Sequence, residues 1–176
     1  MGEDPERHFQ VRLETKLGNM GVWHRFIEKP ASTVHTADAA TVTGIELHRI
    51  SKNLIARTSD GRFAALIIPG DRRLDHKEAA RALGATNISL LPFNEAHKIS
   101  GYPPGGTPSI GYEREIDVVL DEELTSFETF YCGGGSTKML LELRRDDVVR
   151  IAKAKVHRIS IPQGDKKLPF AFTKHQ

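Results

Sequence analysis

Two apolar runs, Asn53 to Thr58 and Arg62 to Ile68, are separated only by Ser59-Asp60-Gly61. Each has the length and composition of a β-strand, and the link between them is a hairpin-turn signal. An antiparallel hairpin in mid-chain argues against an all-parallel doubly wound sheet, in which each strand needs a long crossover to reach the next. Around the hairpin the pattern alternates short helices and short strands. Phe9, Val11, Leu13 and Leu17 predict a loose amphipathic helix from about Pro5 to Leu17, ending at Gly18. Val22 to Ile27 reads as a strand, and Thr36 as the N-cap of a short helix closed by Gly44. Asp75-His76-Lys77-Glu78 is a capping box opening a helix that Gly84 stops. Ile88 to Leu91 is a strand, Pro92 starts a helix ended by Gly101, and Asp146 or Asp147 caps a last helix through Ile151. Ile116 to Leu120, Phe127 to Cys132, Met139 to Leu143 and Val156 to Ile161 are further strands. The expected architecture is a mixed α/β domain with a curled sheet of about seven strands and short helices outside it.

A chain of 176 residues is one ordinary domain, long enough to bury a core without a metal or disulfide. With 39% hydrophobic and 27% charged residues the composition is that of a globular protein, neither disordered nor membrane-spanning. Apolar stretches such as Phe63 to Ile68 fall far short of the ~20 residues of a transmembrane helix. The opening MGEDPERHFQ lacks the apolar stretch of a secretory signal, so a cytoplasmic protein is expected, with no membrane partner. The single cysteine, Cys132, excludes an internal disulfide and a cysteine-based zinc cage. The net charge of +2 is unevenly spread: Lys138 to Gln176 carries ten basic and four acidic residues, the rest of the chain fifteen and nineteen. A basic C-terminal quarter suits either a polyanionic partner or a merely solvated face. Residues 1–160 are expected to form the domain and 161–176 a basic extension.

Standard catalytic motifs are absent: there is no HExxH, CxxC, GxxxxGK[ST] or GxSxG. The scattered histidines give no metal-ligand spacing, so neither a metal nor a cofactor is expected. Cys132 could serve as a nucleophile with His35, His97 or His157 as a distant base, although a strand-end cysteine is more often a small buried residue. Two glycine-rich segments are more informative. Gly101 to Gly111, GYPPGGTPSIG, packs four glycines and three prolines into eleven residues. Cys132 to Lys138, CGGGSTK, lies between two predicted strands. Bare amides in such loops can bind an anion or a developing oxyanion, or the loops can be plain connections. Lys52, at the mouth of a predicted strand, is either a surface cation or a point charge for a phosphate or carbonyl oxygen.

The order of these segments resembles the YbaK family, the prolyl-tRNA synthetase-associated editing domain. Seven segments match in register: Thr33-Val-His-Thr-Ala-Asp-Ala-Ala40, Lys52-Asn-Leu-Ile55, Pro69-Gly-Asp-Arg-Arg-Leu-Asp75, Ala82-Leu-Gly-Ala85, the Gly101 to Gly111 loop, Val118-Val-Leu-Asp121 and Gly133-Gly-Gly135. The resemblance implies a barrel-like mixed sheet and a free-standing hydrolase that cleaves the ester of a mischarged aminoacyl-tRNA, tRNA for proline carrying alanine or cysteine. It implies that Lys52 and Gly101 are catalytic. It also implies that Asn53, His35, Pro104, Gly105, Gly106, Pro108, Gly134, Gly135 and Ser136 bind substrate. The implied partners are the aminoacylated acceptor end of tRNA and prolyl-tRNA synthetase, with no DNA. Asn53 after the lysine resembles the alanine-removing branch, whereas Ser136-Thr137 stand where that branch carries a histidine, and Pro108 comes one residue earlier than in the usual loop. A non-catalytic tRNA-binding adaptor of a synthetase is the alternative, and a small-ester hydrolase using Cys132 a third reading.

Overall fold

The computed structural model of the chain describes residues 4–163. Residues 164–176, most of the expected C-terminal extension, lie outside the described residues. The elements in chain order are α1 (Arg7–Met20), β1 (His24–Glu28), α2 (Thr36–Thr43), β2 (Ser51–Thr58), β3 (Phe63–Pro69), β4 (Arg72–Leu74), α3 (His76–Ala82), β5 (Ile88–Leu90), α4 (Phe93–Ser100), β6 (Asp117–Asp121), β7 (Thr129–Gly133), β8 (Met139–Arg144), α5 (Arg145–Ala152), β9 (Lys155–His157) and β10 (Ser160–Pro162).

The central hairpin forms as its turn signal predicts, with β2 antiparallel to β3 from Ser51–Pro69 to Arg57–Phe63. It lies within a five-stranded mixed sheet in the order β5-β2-β3-β6-β9, in which β6 lies parallel to β3, and β9 parallel to β6. A second sheet runs β1-β8-β7, and β10 pairs with β4 in a third. The expectation of a single curled, barrel-like sheet of about seven strands is therefore corrected: ten short strands among the described residues divide into three open sheets. Closure of a barrel needs continuous staggered pairing all the way round. Here β8 pairs with β1 on one side and β7 on the other, and between the two larger sheets the described residues contribute a single bridge, Ile50 to Tyr131.

The continuous apolar run of β3 is explained by burial on both faces. Ala65 and Ile67 face a core shared with Leu13 and Leu17 of α1, Val118 and Leu120 of β6, and Phe130 and Leu141 of the second sheet. Ala64, Leu66 and Ile68 face the other way, onto Ala79, Ala80 and Leu83 around α3. The capping box is real on one side: the Asp75 side chain accepts from the Glu78 amide at 3.2 Å. The first helix runs past Gly18 to Gly21, whose φ of 69° makes it the true left-handed cap. The expected strand Val156 to Ile161 is two strands, held by the buried carboxylate of Asp121, which accepts from the Ile159 amide and the Ser160 hydroxyl, both at 2.7 Å. No helix of the described residues is long and apolar enough to cross a membrane.

Candidate active site

A cavity of about 580 Å³ opens between β2, the segment that enters α2, α4 and the first glycine loop. Its inner wall is apolar, including Ile50, Ile55 and Leu140, and its polar groups are few: Lys29, Thr33, Ser51, Lys52, Asn53 and Thr107 among them. That mixture, an apolar concavity with a handful of placed polar groups, is the usual make-up of a small-ligand site. At the rim, the exposed side chains of Val34 and Phe93 flank the opening, and the His35 and Phe93 rings lie 6.4 Å apart, tilted by 42°.

Lys52 and Asn53 are consecutive strand residues, so their side chains leave opposite faces of β2, yet both border the cavity. Lys52 Nζ donates to the Arg72 carbonyl at 2.8 Å, which draws the ammonium to the β4 side. Asn53 is oriented from both ends: its Nδ2 donates to Ser51 Oγ at 3.0 Å, and its Oδ1 accepts from Ser109 Oγ at 2.7 Å. This bond ties β2 to the first glycine loop.

The two glycine loops touch each other, backbone on backbone. Gly135 N–H donates to the Gly106 carbonyl at 2.8 Å and Gly133 N–H to the Thr107 carbonyl at 3.1 Å. A Cβ on Gly133 would stand 2.4 Å from the Gly106 carbonyl carbon, and one on Gly106 would stand 2.7 Å from that of Gly135. Gly105, at φ 84°, would put a Cβ 2.7 Å from the Thr33 carbonyl oxygen. The glycines thus permit three chain segments to meet at backbone distance, and the meeting point floors the cavity through Pro104, Gly105, Thr107 and Gly133.

The sequence-expected site residues divide accordingly. Lys52, Asn53, His35, Pro104 and Gly105 border the cavity. Gly106 and Pro108 are buried behind it. Gly101 caps α4 at φ 87° and has its carbonyl bound by the Arg12 guanidinium, away from the lining. Gly134 bonds to the Met139 carbonyl, and Gly135 packs on Gln10 of α1. Ser136 Oγ donates to Asp4 Oδ2 at 2.7 Å. Next to it, Thr137 gives its amide at 2.8 Å and its hydroxyl at 3.0 Å to Glu6 Oε1. One outer amide of the second loop, that of Thr137, therefore does hold an anion, the carboxylate of this chain's own Glu6. Only its first glycine, Gly133, reaches the cavity.

Of the described cavity residues that the sequence does not point to, Lys29 is the one that carries charge. Lys29 reads as a surface cation just after β1, but it is 2% exposed and lines the cavity. Burial lowers its pKa to about 8, a fall that the charge of Glu6 partly opposes. Its burial comes from distant partners, such as the Lys138 carbonyl that accepts from its amide at 2.8 Å, and no local pattern announces them.

Cys132 is fully buried, and burial pushes its thiol up to about 12, far from the thiolate that nucleophilic attack needs. The third reading loses its nucleophile. Cys132→Ala is expected to keep hydrolytic turnover within about twofold of the parent, and native protein to resist thiol alkylation. Rapid alkylation with parallel loss of activity would reverse that conclusion.

A mixed α/β domain with an apolar-walled cavity, a lysine at its border and a floor of interlocked glycine backbone defines a domain shaped to bind a small ligand group. The chain belongs to the aminoacyl-tRNA editing domain family, whose pattern matches residues 28–151. It is 28% identical over 137 residues to the uncharacterised protein YwhH of Bacillus subtilis, covering 76% of this chain and 87% of that one. It is 26% identical over 117 residues to EbsC of Enterococcus faecalis, named as a candidate Cys-tRNA(Pro)/Cys-tRNA(Cys) deacylase, covering 66% of this chain and 71% of EbsC. The crystal structure of a candidate trans-editing enzyme for prolyl-tRNA synthetase superposes with a TM-score of 0.75 at 25% identity, over 91% of this chain and 99% of that one.

Proposed function

We propose that the protein is a free-standing deacylase that hydrolyses the ester of mischarged aminoacyl-tRNA, with tRNA for proline carrying alanine or cysteine as the first substrates to test. The observation that carries this reading is Lys52 at the border of the 580 Å³ cavity, inside the span that matches the editing family. The names of EbsC and of the trans-editing enzyme support the reaction class and the link to prolyl-tRNA synthetase.

In this reading the Lys52 ammonium holds the aminoacyl-adenosine end, and the exposed His35 and Phe93 rings at the rim offer a surface for a nucleobase to stack on. The loop backbone at Gly105 and Thr107 positions the ester carbonyl or the attacking water. Water adds to the carbonyl carbon, the carbonyl electrons become a tetrahedral oxyanion, and its collapse breaks the ester bond. The ribose oxygen leaves with one of the water's protons, the other passes to solvent, and the amino acid departs as a carboxylate. No side chain acts as nucleophile, and the tRNA's own terminal hydroxyl assists the water. Selectivity follows from cavity shape, the second sieve of double-sieve editing.

The test is a deacylation panel: tRNA for proline charged with alanine, cysteine or proline, and other tRNAs charged with serine, threonine or alanine. Cleavage of a mischarged species with prolyl-tRNA spared is the expected result. Salt-sensitive tRNA binding without cleavage of any ester would replace the deacylase with the adaptor.

A further inference from the structure

Lys29 has no part in the reaction just described, and its surroundings are unusual for a cation. The side chain is almost wholly buried. An ammonium has three donors and no acceptor. Here its hydrogen bonds go to one neutral residue: Thr33 Oγ1 at 2.6 Å and the Thr33 carbonyl at 3.4 Å. Among the described residues no carboxylate comes within 4.0 Å of it to form an ion pair, and the nearest acid in effect, Glu6, is engaged with Thr137. A buried cation with only neutral partners is costly, and an acceptor from outside relieves that cost. Since Lys29 and Thr33 both line the cavity, that acceptor can come from a bound ligand.

The ligand's chemistry narrows what the acceptor can be. In the reading above, the adenosine end and the ester lie with Lys52 and the first glycine loop. The free α-ammonium of an aminoacyl group is a donor and repels Lys29. The side chain of the acyl group is what remains. We propose that Lys29 is a specificity-determining residue, whose ammonium, braced by Thr33, receives an oxygen on the side chain of the acyl group. The site then prefers esters with a hydroxyl or carboxylate side chain over alanyl esters of the same tRNA. The lowered pKa of the lysine fits a cation that waits for a partner, and the geometry stands without it.

This inference rests on the deacylase reading, and the two can fail separately. Binding is measured by calorimetry with non-hydrolysable 3′-amide analogues of alanyl-, seryl- and aspartyl-adenosine, on the full chain and on Lys29→Met. Hydrolysis of the corresponding esters on one tRNA runs in parallel. The parent is expected to bind the seryl or aspartyl amide about 10- to 100-fold tighter than the alanyl one, the range of a hydrogen bond to a charged group. In Lys29→Met that ratio should fall to near one, while the melting temperature holds or rises because a buried cation has gone. The two oxygen-bearing arms separate a hydroxyl from a carboxylate as the preferred acceptor. Equal binding of all three amides by the parent, no binding of any, or a ratio that Lys29→Met leaves unchanged overturns the inference. Selective amide binding with no ester cleavage keeps it and overturns the deacylase reading.

Discussion

Lys52→Ala is expected to reduce deacylation of the best misacylated tRNA by about 100-fold or more, because losing the group that holds the aminoacyl-adenosine end misplaces the ester against the attacking water. The expectation comes from position. Lys52 is held at the cavity border by the neighbouring β2 and β3 ladder and by its 2.8 Å bond to the Arg72 carbonyl, so the charge is delivered at a fixed place. The cost to the fold should be modest, about 1 kcal/mol for one part-buried hydrogen bond. A small shift in melting temperature beside a large loss of kcat/KM would therefore separate function from folding. Lys52→Arg should recover little, because the planar guanidinium is longer and wider and does not reproduce a compact ammonium at one point. Full turnover by Lys52→Ala on every ester that the parent cleaves would remove Lys52 from the reaction. A variant that unfolds at assay temperature would instead make the lysine a structural link between β2 and β4.

Local patterns in this sequence translated well, and long-range ones did not. The β2–β3 hairpin, the Asp75 cap and the α4 stop at Gly101 each depend on residues within a few positions of one another. By contrast, β4 and β10 are three-residue strands that pair across the chain, Leu74 with Ser160, and neither has an alternating pattern of its own. The single curled sheet failed for the same reason. Whether β8 pairs with β1 or closes onto β2 is decided by packing, not by the strand's composition. At the site, Lys52, Asn53, His35, Pro104 and Gly105 were legible, and all five border one cavity. The glycines of the second loop were legible as glycines but not as a contact surface. Amide-rich loops that bind a ligand and loops that bind each other look alike in one dimension. Lys29 was illegible because only the fold buries it.

The interlock of those loops sets the second large expectation. Gly133→Ala should destabilise the protein by about 3 kcal/mol or more, from overpacking of ~1–3 kcal/mol and weakening of two hydrogen bonds at ~1 kcal/mol each. The added Cβ would meet the Gly106 carbonyl carbon at 2.4 Å, the Thr107 nitrogen at 2.5 Å and the Thr107 oxygen at 2.6 Å. All three are backbone atoms, so no side chain can rotate away. Relief requires the loops to part, which strains the Gly133 to Thr107 and Gly135 to Gly106 bonds and opens the cavity floor. For a chain of this length a loss of that size lowers the melting temperature by roughly 10 °C. Gly106→Ala presses on the same contact from the other side, with 2.7 Å to the Gly135 carbonyl carbon, so the double variant should lose less than the sum of the two. Gly18→Ala supplies the opposite sign. It sits inside α1, a Cβ there meets nothing within 4 Å, and alanine should add about 0.5–1 kcal/mol through helix propensity. If Gly133→Ala melts with the parent while Gly18→Ala gains, the loops yield more freely than their spacing implies, and the cavity floor is a soft surface that a substrate would have to order on binding.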